Sequence, residues 1–433
     1  MSMVTVRPGS SGNSTPGRRS AWQSLTTIRR RWVAATFLAC CLYAAGVAAF
    51  TSNDLHRLWG TVAAIGYLLA AVCVLAWRSR GLDLGLVVGF CGALLLPLFW
   101  LAAAGKQQPE VSVIIRSARL LIHHGTPYQS TAALAASHHA YDYDPYLPVM
   151  TLFGLPRALA DSVVTDPRLW FGAAFLAAFG LALFVAGAKD WIRWTAFVTA
   201  SPVIALELAV GGTDIPVLAL MCLGLALLWA RPAAGGGTAG HGVTSRRGRP
   251  VLAGVVLGID AAMKATAWPV LIIGFALLAF RDGKRATTEF TVAVLASCAV
   301  LLGPVAAMWP GALVVNTILF PLGLTKSNSP AASPLPGHVL ADTGHIGHFI
   351  AVGLLVLAGL IIAASLLVRP PRDVPSATWR LIIGLALMFA LAPATRFGYF
   401  LYPLGLLAWL LIALVGRRQA PSDQVTPDQM LPG

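Results

Sequence analysis

Nine residues carry most of the chemistry this chain could do. Glu110, Arg116, Arg119, Asp142 and Asp144 fall in one stretch between apolar runs. Asp214, Lys264, Arg396 and Tyr399 stand in short turns between other apolar runs. A carboxylate can take a proton from a hydroxyl, and arginine and lysine can hold a phosphate. Ionisable groups beside a membrane are costly, so where they converge a site is the default reading.

Each group also has a plainer role. Glu110 follows Pro109 and opens the stretch Val111 to His124. It is either a general base or a carboxylate favoured by the dipole at a helix start. At 100° per residue Ser112, Arg116, Arg119 and His123 share one face, with Val113, Ile114, Leu120 and Leu121 opposite. That pattern predicts an amphipathic helix lying along a membrane surface. Its arginines would then touch lipid headgroups or a substrate phosphate. Tyr141-Asp142-Tyr143-Asp144-Pro145-Tyr146 reads as a rigid interfacial turn or as a carbohydrate-binding run. Asp142 and Asp144 could share a divalent ion, but nothing else completes a ligand set, so neither metal nor cofactor is expected. Lys264 needs an anion, either Asp260 four residues earlier or a ligand phosphate. Arg396 has the same two readings. Lys326, His338, Asp342 and His345 fall in a later stretch, where His345 and His348 read as loop residues.

The elements that must position these groups are membrane helices. Of the 433 residues, 57% are hydrophobic and only 11% are charged, against about 25% in soluble domains. Apolar runs lie near 33–50, 59–77, 82–104, 168–188, 193–211, 214–230, 251–263, 267–280, 290–309, 347–368, 377–393 and 400–416. Most approach the ~20 residues that cross a bilayer. The formal charge of +14 comes from short basic clusters between runs. These read as topology signals and lipid contacts, and no basic stripe interleaved with aromatics points to nucleic acid. All six cysteines fall inside apolar runs, where they act as small hydrophobes.

Keeping the basic clusters on the cytoplasmic side fixes a direction. The clusters are Arg29–Arg31, Arg78/Arg80, Lys189/Arg193, Arg231–Arg249, Arg281/Lys284/Arg285, Arg369/Arg372 and Arg417/Arg418. The solution makes 146–160 dip into the outer leaflet without crossing and pairs 251–263 with 267–280 around Lys264. The expected architecture is thus an all-α polytopic bundle of about twelve segments in the cell membrane, with both termini cytoplasmic. A disordered basic tail (1–28) precedes a membrane domain (29–418), and a disordered tail (419–433) follows. Within the domain lie a long first outer loop (105–167) bearing the surface helix, a Gly-rich cytoplasmic linker (231–250) and a second outer loop (310–346). The candidate residues then all belong to outer-face segments.

Three of these segments resemble those of the polyprenyl-phosphate-mannose-dependent mannosyltransferases, glycosyltransferase family 87 of the GT-C superfamily. They are Pro109–Tyr128 with Gly125-Thr126-Pro127-Tyr128, Tyr143–Pro148, and Gly254–Pro269 with its Gly-Ile-Asp-Ala-Ala-Met-Lys core. The resemblance runs from about residue 82 to 416. It implies a GT-C fold and transfer of a sugar, a hexose such as mannose, from a polyprenyl-phosphate donor to a glycolipid or glycan acceptor at the outer face. It also implies an acidic base at the start of the first outer loop, here Glu110, where the family usually has Asp. The two extra preceding helices are a second departure. Substrate contacts are expected from Arg116, Arg119, Tyr128, Asp142, Asp144, Asp214, Lys264, Arg396 and Tyr399. The rival expectations are a transporter or flippase of a lipid-linked glycan, using the same cations without a base, and an inactive membrane subunit. The latter would leave Glu110, Lys264 and Arg396 in separate places. Oligomeric state is not legible.

Overall fold

A computed structural model describes residues 16–77, 79–137, 139–229, 248–327 and 329–418. Most of the expected linker 231–250, the tail 419–433 and residues 1–15 lie outside the described residues. All regular structure among them is helical, apart from one bridge between Ala332 and Thr395. The chain is a multi-pass helical membrane protein. Eight described helices are long and apolar enough to cross a bilayer, or nine if one bent pair counts as a span.

Each of the twelve expected segments has a helical counterpart. Helix α1 is Pro16–Phe50, so part of the expected N-terminal tail is helical. It is followed by α2 (Asp54–Ala76), α3 (Gly81–Ala103) and α4 (Pro109–His124). Then come α5 (Pro167–Val185), α6 (Trp191–Thr199), α7 (Pro202–Val210) and α8 (Ile215–Trp229). After the linker come α9 (Arg249–Ala261), α10 (Trp268–Arg281) and α11 (Lys284–Met308). The bundle closes with α12 (His345–Val368), α13 (Val374–Leu391) and α14 (Leu401–Arg418). His345 and His348 therefore open a helix and are not loop residues.

Two local defects are built in, each with its own replacement donor. Pro97 has no N–H for the carbonyl of Ala93, four residues back, and a π-turn spans Cys91–Leu95. The Trp59 indole donates to Ala93 O at 2.8 Å instead. Gly66 and Gly92 meet there, and a Cβ on either would lie within 2.7 Å of the other's backbone. The second defect breaks the run 193–211, where α6 and α7 meet at 62° before Pro202. The Tyr67 hydroxyl donates to the carbonyl of Ala200 at that corner, at 2.6 Å.

Helices α9 and α11 pack closely and in parallel through small residues. A Cβ on Gly254 would meet Phe290 O at 2.6 Å, and one on Gly258 would meet Ser297 Cβ at 2.7 Å. Helix α10 enters α11 through the turn Asp282-Gly283, with Gly274 facing Phe290. So α9 and α10 run in opposite directions and meet at Lys264, as the pairing of 251–263 with 267–280 requires.

This course divides the bundle into two ends. At one, Arg30 donates to Val74 O (2.6 Å), Arg193 pairs with Asp83 (3.0 Å), Arg281 reaches Leu228 O (3.0 Å) and Arg417 reaches Ala186 O (3.1 Å). At the other lie α4, the turn after α7, Lys264, the stretch 310–346 and Arg396. The amphipathic pattern of α4 is real, but its apolar face rests on protein. Val111, Val113, Ile114, Ser117 and Ala118 are buried. Helix α4 packs on the turns Pro148–Gly154, where a Cβ on Gly154 would lie 2.5 Å from Ile114 O. Hydrophobic periodicity alone does not distinguish a protein surface from a lipid one.

Candidate active site

Two chain segments are bolted together before any functional group is placed. Arg168, at the start of α5, is fully buried and forks onto Asp166 through Nε (2.9 Å) and Nη2 (2.8 Å). Its Nη1 donates to Lys106 O at 3.1 Å and Ala209 O at 2.8 Å, joining the approach to α4 to the end of α7. The Gln108 N–H adds a bond to Val210 O at 2.8 Å. Gly211 lacks a Cβ where one would fall 2.4 Å from the Gln108 side-chain oxygen, and Gly212 turns with φ 81°. These features fix Glu110 and Asp214 relative to one another.

Lys264 is held by its neighbours' backbone. Helix α9 stops at Ala261, and the carbonyls just beyond its end are taken by the incoming stretch 145–149. Leu147 N–H donates to Met263 O (2.9 Å) and Val149 N–H to Ala262 O (3.1 Å). Because the helix ends there, Lys264 does not reach Asp260 as an i, i+4 pair. Its Nζ instead pairs with Asp214 Oδ1 at 2.5 Å, with the two side chains only 12% and 13% exposed. Tyr402 OH donates to the same carboxylate oxygen at 2.5 Å, and Thr266 Oγ1 lies 2.9 Å from that hydroxyl. With the tyrosine proton on Asp214, Thr266 is the donor of the second bond. The rings of Tyr146 and Tyr399 flank the ammonium, each centroid 5.3 Å from Nζ. Asp260 remains fully buried, with neither carboxylate oxygen hydrogen-bonded among the described residues.

Arg396 enters from the last turn, and its Nη1 contacts Glu110 Oε1 as an ion pair. That turn is secured by Thr395 Oγ1 on Phe389 O (2.6 Å) and by Ser333 Oγ accepting from Phe397 N–H (3.1 Å). His338 Nδ1 lies 2.8 Å from Pro393 O, a further bond to the same turn. Burial works against the Arg396 cation. The Glu110 and Tyr399 groups beside it outweigh that effect and lift its pKa above the ordinary value. Oε2 of Glu110 is buried and has no partner among the described residues.

Five of the expected residues, Glu110, Asp214, Lys264, Arg396 and Tyr399, therefore converge. The others form a different arrangement. Arg116 donates to Tyr141 O (2.7 Å) and Asp142 O (3.0 Å), clamping the loop onto α4. Asp142 accepts from Ser137 Oγ. Asp144 is buried and accepts from Ser117 Oγ (2.5 Å) and Tyr146 N–H (2.9 Å), while its own N–H donates to Asn316 Oδ1 (2.8 Å). Burial pushes the Asp144 carboxyl up to about 6, against these bonds and the Arg116 charge. Tyr128 is buried, and its hydroxyl donates to Tyr146 O at 2.9 Å. Arg119 lies on the exposed face of α4. Arg116, Tyr128, Asp142 and Asp144 thus shape the loop that delivers Tyr146 and seats Lys264. Among the described residues no three His, Cys, Asp or Glu side chains gather as a metal-ligand set.

No protein-family model matches the chain, and neither does any curated protein. Two solved structures show a likeness, both of ArnT from Cupriavidus metallidurans. In the apo state it is 16% identical, with a TM-score of 0.48 over 78% of this chain and 60% of that one. Bound to undecaprenyl phosphate it is 16% identical, with a TM-score of 0.49 over 79% of this chain and 61% of that one. The chain thus spans about three fifths of the length of those structures.

Sequence reasoning missed Tyr402, Thr266, Arg168 and Glu207. Tyr402 and Thr266 gave no local signal. Glu207 did, since a lone carboxylate inside an apolar run is costly and invites a reason.

Proposed function

We propose that this chain is a membrane glycosyltransferase of the GT-C kind, moving a hexose such as mannose from a polyprenyl-phosphate donor to a cell-envelope glycolipid or glycan. One observation carries the reading. Two cation–carboxylate pairs, Arg396–Glu110 and Lys264–Asp214, meet at the end of the bundle opposite the basic residues. By the positive-inside rule that end faces outward and both termini face the cytoplasm.

In the proposed reaction the donor phosphate lies against Arg396 and Lys264, with its lipid tail between helices. The phosphate takes Arg396 from Glu110, which leaves that carboxylate free to act as base. Glu110 accepts the proton of an acceptor hydroxyl, and the hydroxyl oxygen bonds to the anomeric carbon. The bond from that carbon to the phosphate oxygen breaks, and the polyprenyl phosphate leaves with the electron pair. Attack from the side opposite the phosphate inverts the anomeric centre. The leaving group is already a good one, so the two cations suffice to stabilise it. Asp214 and Tyr402 hold Lys264 in place.

The test is to incubate membranes containing or lacking the protein with radiolabelled polyprenyl-phosphate mannose. A new labelled product of inverted configuration, present only with the protein, is the expected result. Unchanged product profiles across a panel of polyprenyl-phosphate sugars would overturn the reading.

A further inference from the structure

Glu207 is the one acidic residue of the site that the mechanism above leaves idle. It stands one residue short of the last three of α7, on the half-helix that ends at Gly211-Gly212. Its Oε1 lies against Gly398, where a Cβ would be only 2.5 Å away, between Arg396 and Tyr399 in sequence. Burial, and then the charges of Asp214, Arg396, Glu110 and Lys264, all act on it. Yet among the described residues no hydrogen bond or ion pair engages its carboxylate, and the side chain is only half-buried. The two nearby cations are already matched with Glu110 and Asp214.

We propose that Glu207 binds the sugar of the donor by accepting hydroxyl protons beside the Arg396–Tyr399 turn. Ionised or protonated, a carboxyl keeps acceptor lone pairs, so a group rich in hydroxyl donors suits it in either state. A carboxylate facing the interior of a membrane protein is satisfied by neighbours, by water or by what the cavity is built to hold. A donor phosphodiester brings no proton to offer. A sugar brings several hydroxyls, and the partly exposed ring of Tyr399 beside Lys264 supplies an apolar face a pyranose packs on. Glu207 therefore distinguishes the sugar-bearing lipid from the bare lipid phosphate, which favours loading of substrate and release of product. This assignment rests on the glycosyltransferase reading.

The experiment measures binding of decaprenyl phosphate, decaprenyl-phosphate mannose and decaprenyl-phosphate glucose to the full chain in nanodiscs. Wild type, Glu207→Ala and Gly398→Ala are compared, the last adding a methyl group where the Glu207 carboxylate sits. Wild type should bind at least one sugar-bearing lipid more tightly than the bare one. Both variants should weaken that binding by about 10- to 100-fold, the worth of a charged hydrogen bond. Their affinity for decaprenyl phosphate should hold or rise. Equal weakening toward all three lipids, or no change in any, would overturn the role of Glu207 while leaving the transferase reading intact. A wild type that binds none of the lipids would instead overturn the transferase reading, and this inference with it. Should Glu207→Ala fail to fold, Gly398→Ala decides on the same readout.

Discussion

Replacing Glu110 with Gln should lower turnover and tighten donor binding at once. Glu110 and Arg396 form an ion pair whose side chains are 15% and 29% exposed. Exposed pairs contribute about 0–1 kcal/mol and breaking a buried one costs about 3–5 kcal/mol, so a pair with an arginine nearly a third exposed falls near 2 kcal/mol. In wild type the donor phosphate must overcome that pairing to reach Arg396. In Glu110→Gln the guanidinium waits uncompensated, so KM for the polyprenyl-phosphate sugar should fall by up to about thirtyfold. With the proposed base removed, the protein should lose about 10²–10⁴ in kcat. A steady-state assay at varied donor, with the protein in nanodiscs, reads both quantities. Thermal unfolding should show a less stable empty variant that gains more than wild type from added donor. A KM that stays level or rises, or a kcat that survives, would refute the proposed exchange of partners.

Three further outcomes follow from the surrounding contacts. Lys264→Met leaves Asp214 buried without its cation and should cost about 3–5 kcal/mol of stability in detergent; the double variant Lys264→Met/Asp214→Asn should recover that stability but not transfer activity. Arg168→Met strands Asp166 and releases the Lys106 and Ala209 carbonyls, so it should destabilise by about 3–5 kcal/mol, measured as a shifted thermal unfolding midpoint. Asp144 has a folded pKa raised to about 6 from 3.8, so its contribution is largest when protonated. Stability from this group should therefore fall as pH rises from about 4 to about 6, and Asp144→Asn should remove that slope from the unfolding midpoint.

Much of the fold was legible because lipid imposes a local rule. A backbone in hydrocarbon must satisfy itself within each segment, so an apolar run reads directly as a helix. All twelve runs became helices for that reason. The corner at Ala200 was not legible, because the run 193–211 stays apolar through it and the donor that stabilises it, Tyr67, is 133 residues away. Pro202 was the one local cue.

The site was legible by type but not by pairing. Glu110, Asp214, Lys264, Arg396 and Tyr399 stood out because charged or polar groups punctuate apolar sequence. Which carboxylate meets which cation depends on contacts across 286 positions for Glu110–Arg396 and 50 for Asp214–Lys264. No helical spacing encodes those distances. Lys264 shows the failure directly, since the i, i+4 rule pointed to Asp260 and the helix ends before the rule applies. Arg116 and Asp144 carried no local sign of an internal partner. Their charges looked available for substrate, and the folding of the 141–146 stretch back over α4 uses them internally.

The most direct test of the account is single-turnover transfer by purified protein in nanodiscs, using polyprenyl-phosphate [³H]mannose and an extract of cell-envelope glycolipids as acceptor. Wild type should move the label onto the acceptor at least about 100-fold faster than Glu110→Gln. Label that passes at equal rates with both proteins, or that crosses the bilayer of proteoliposomes as intact donor without ever being transferred, would contradict it.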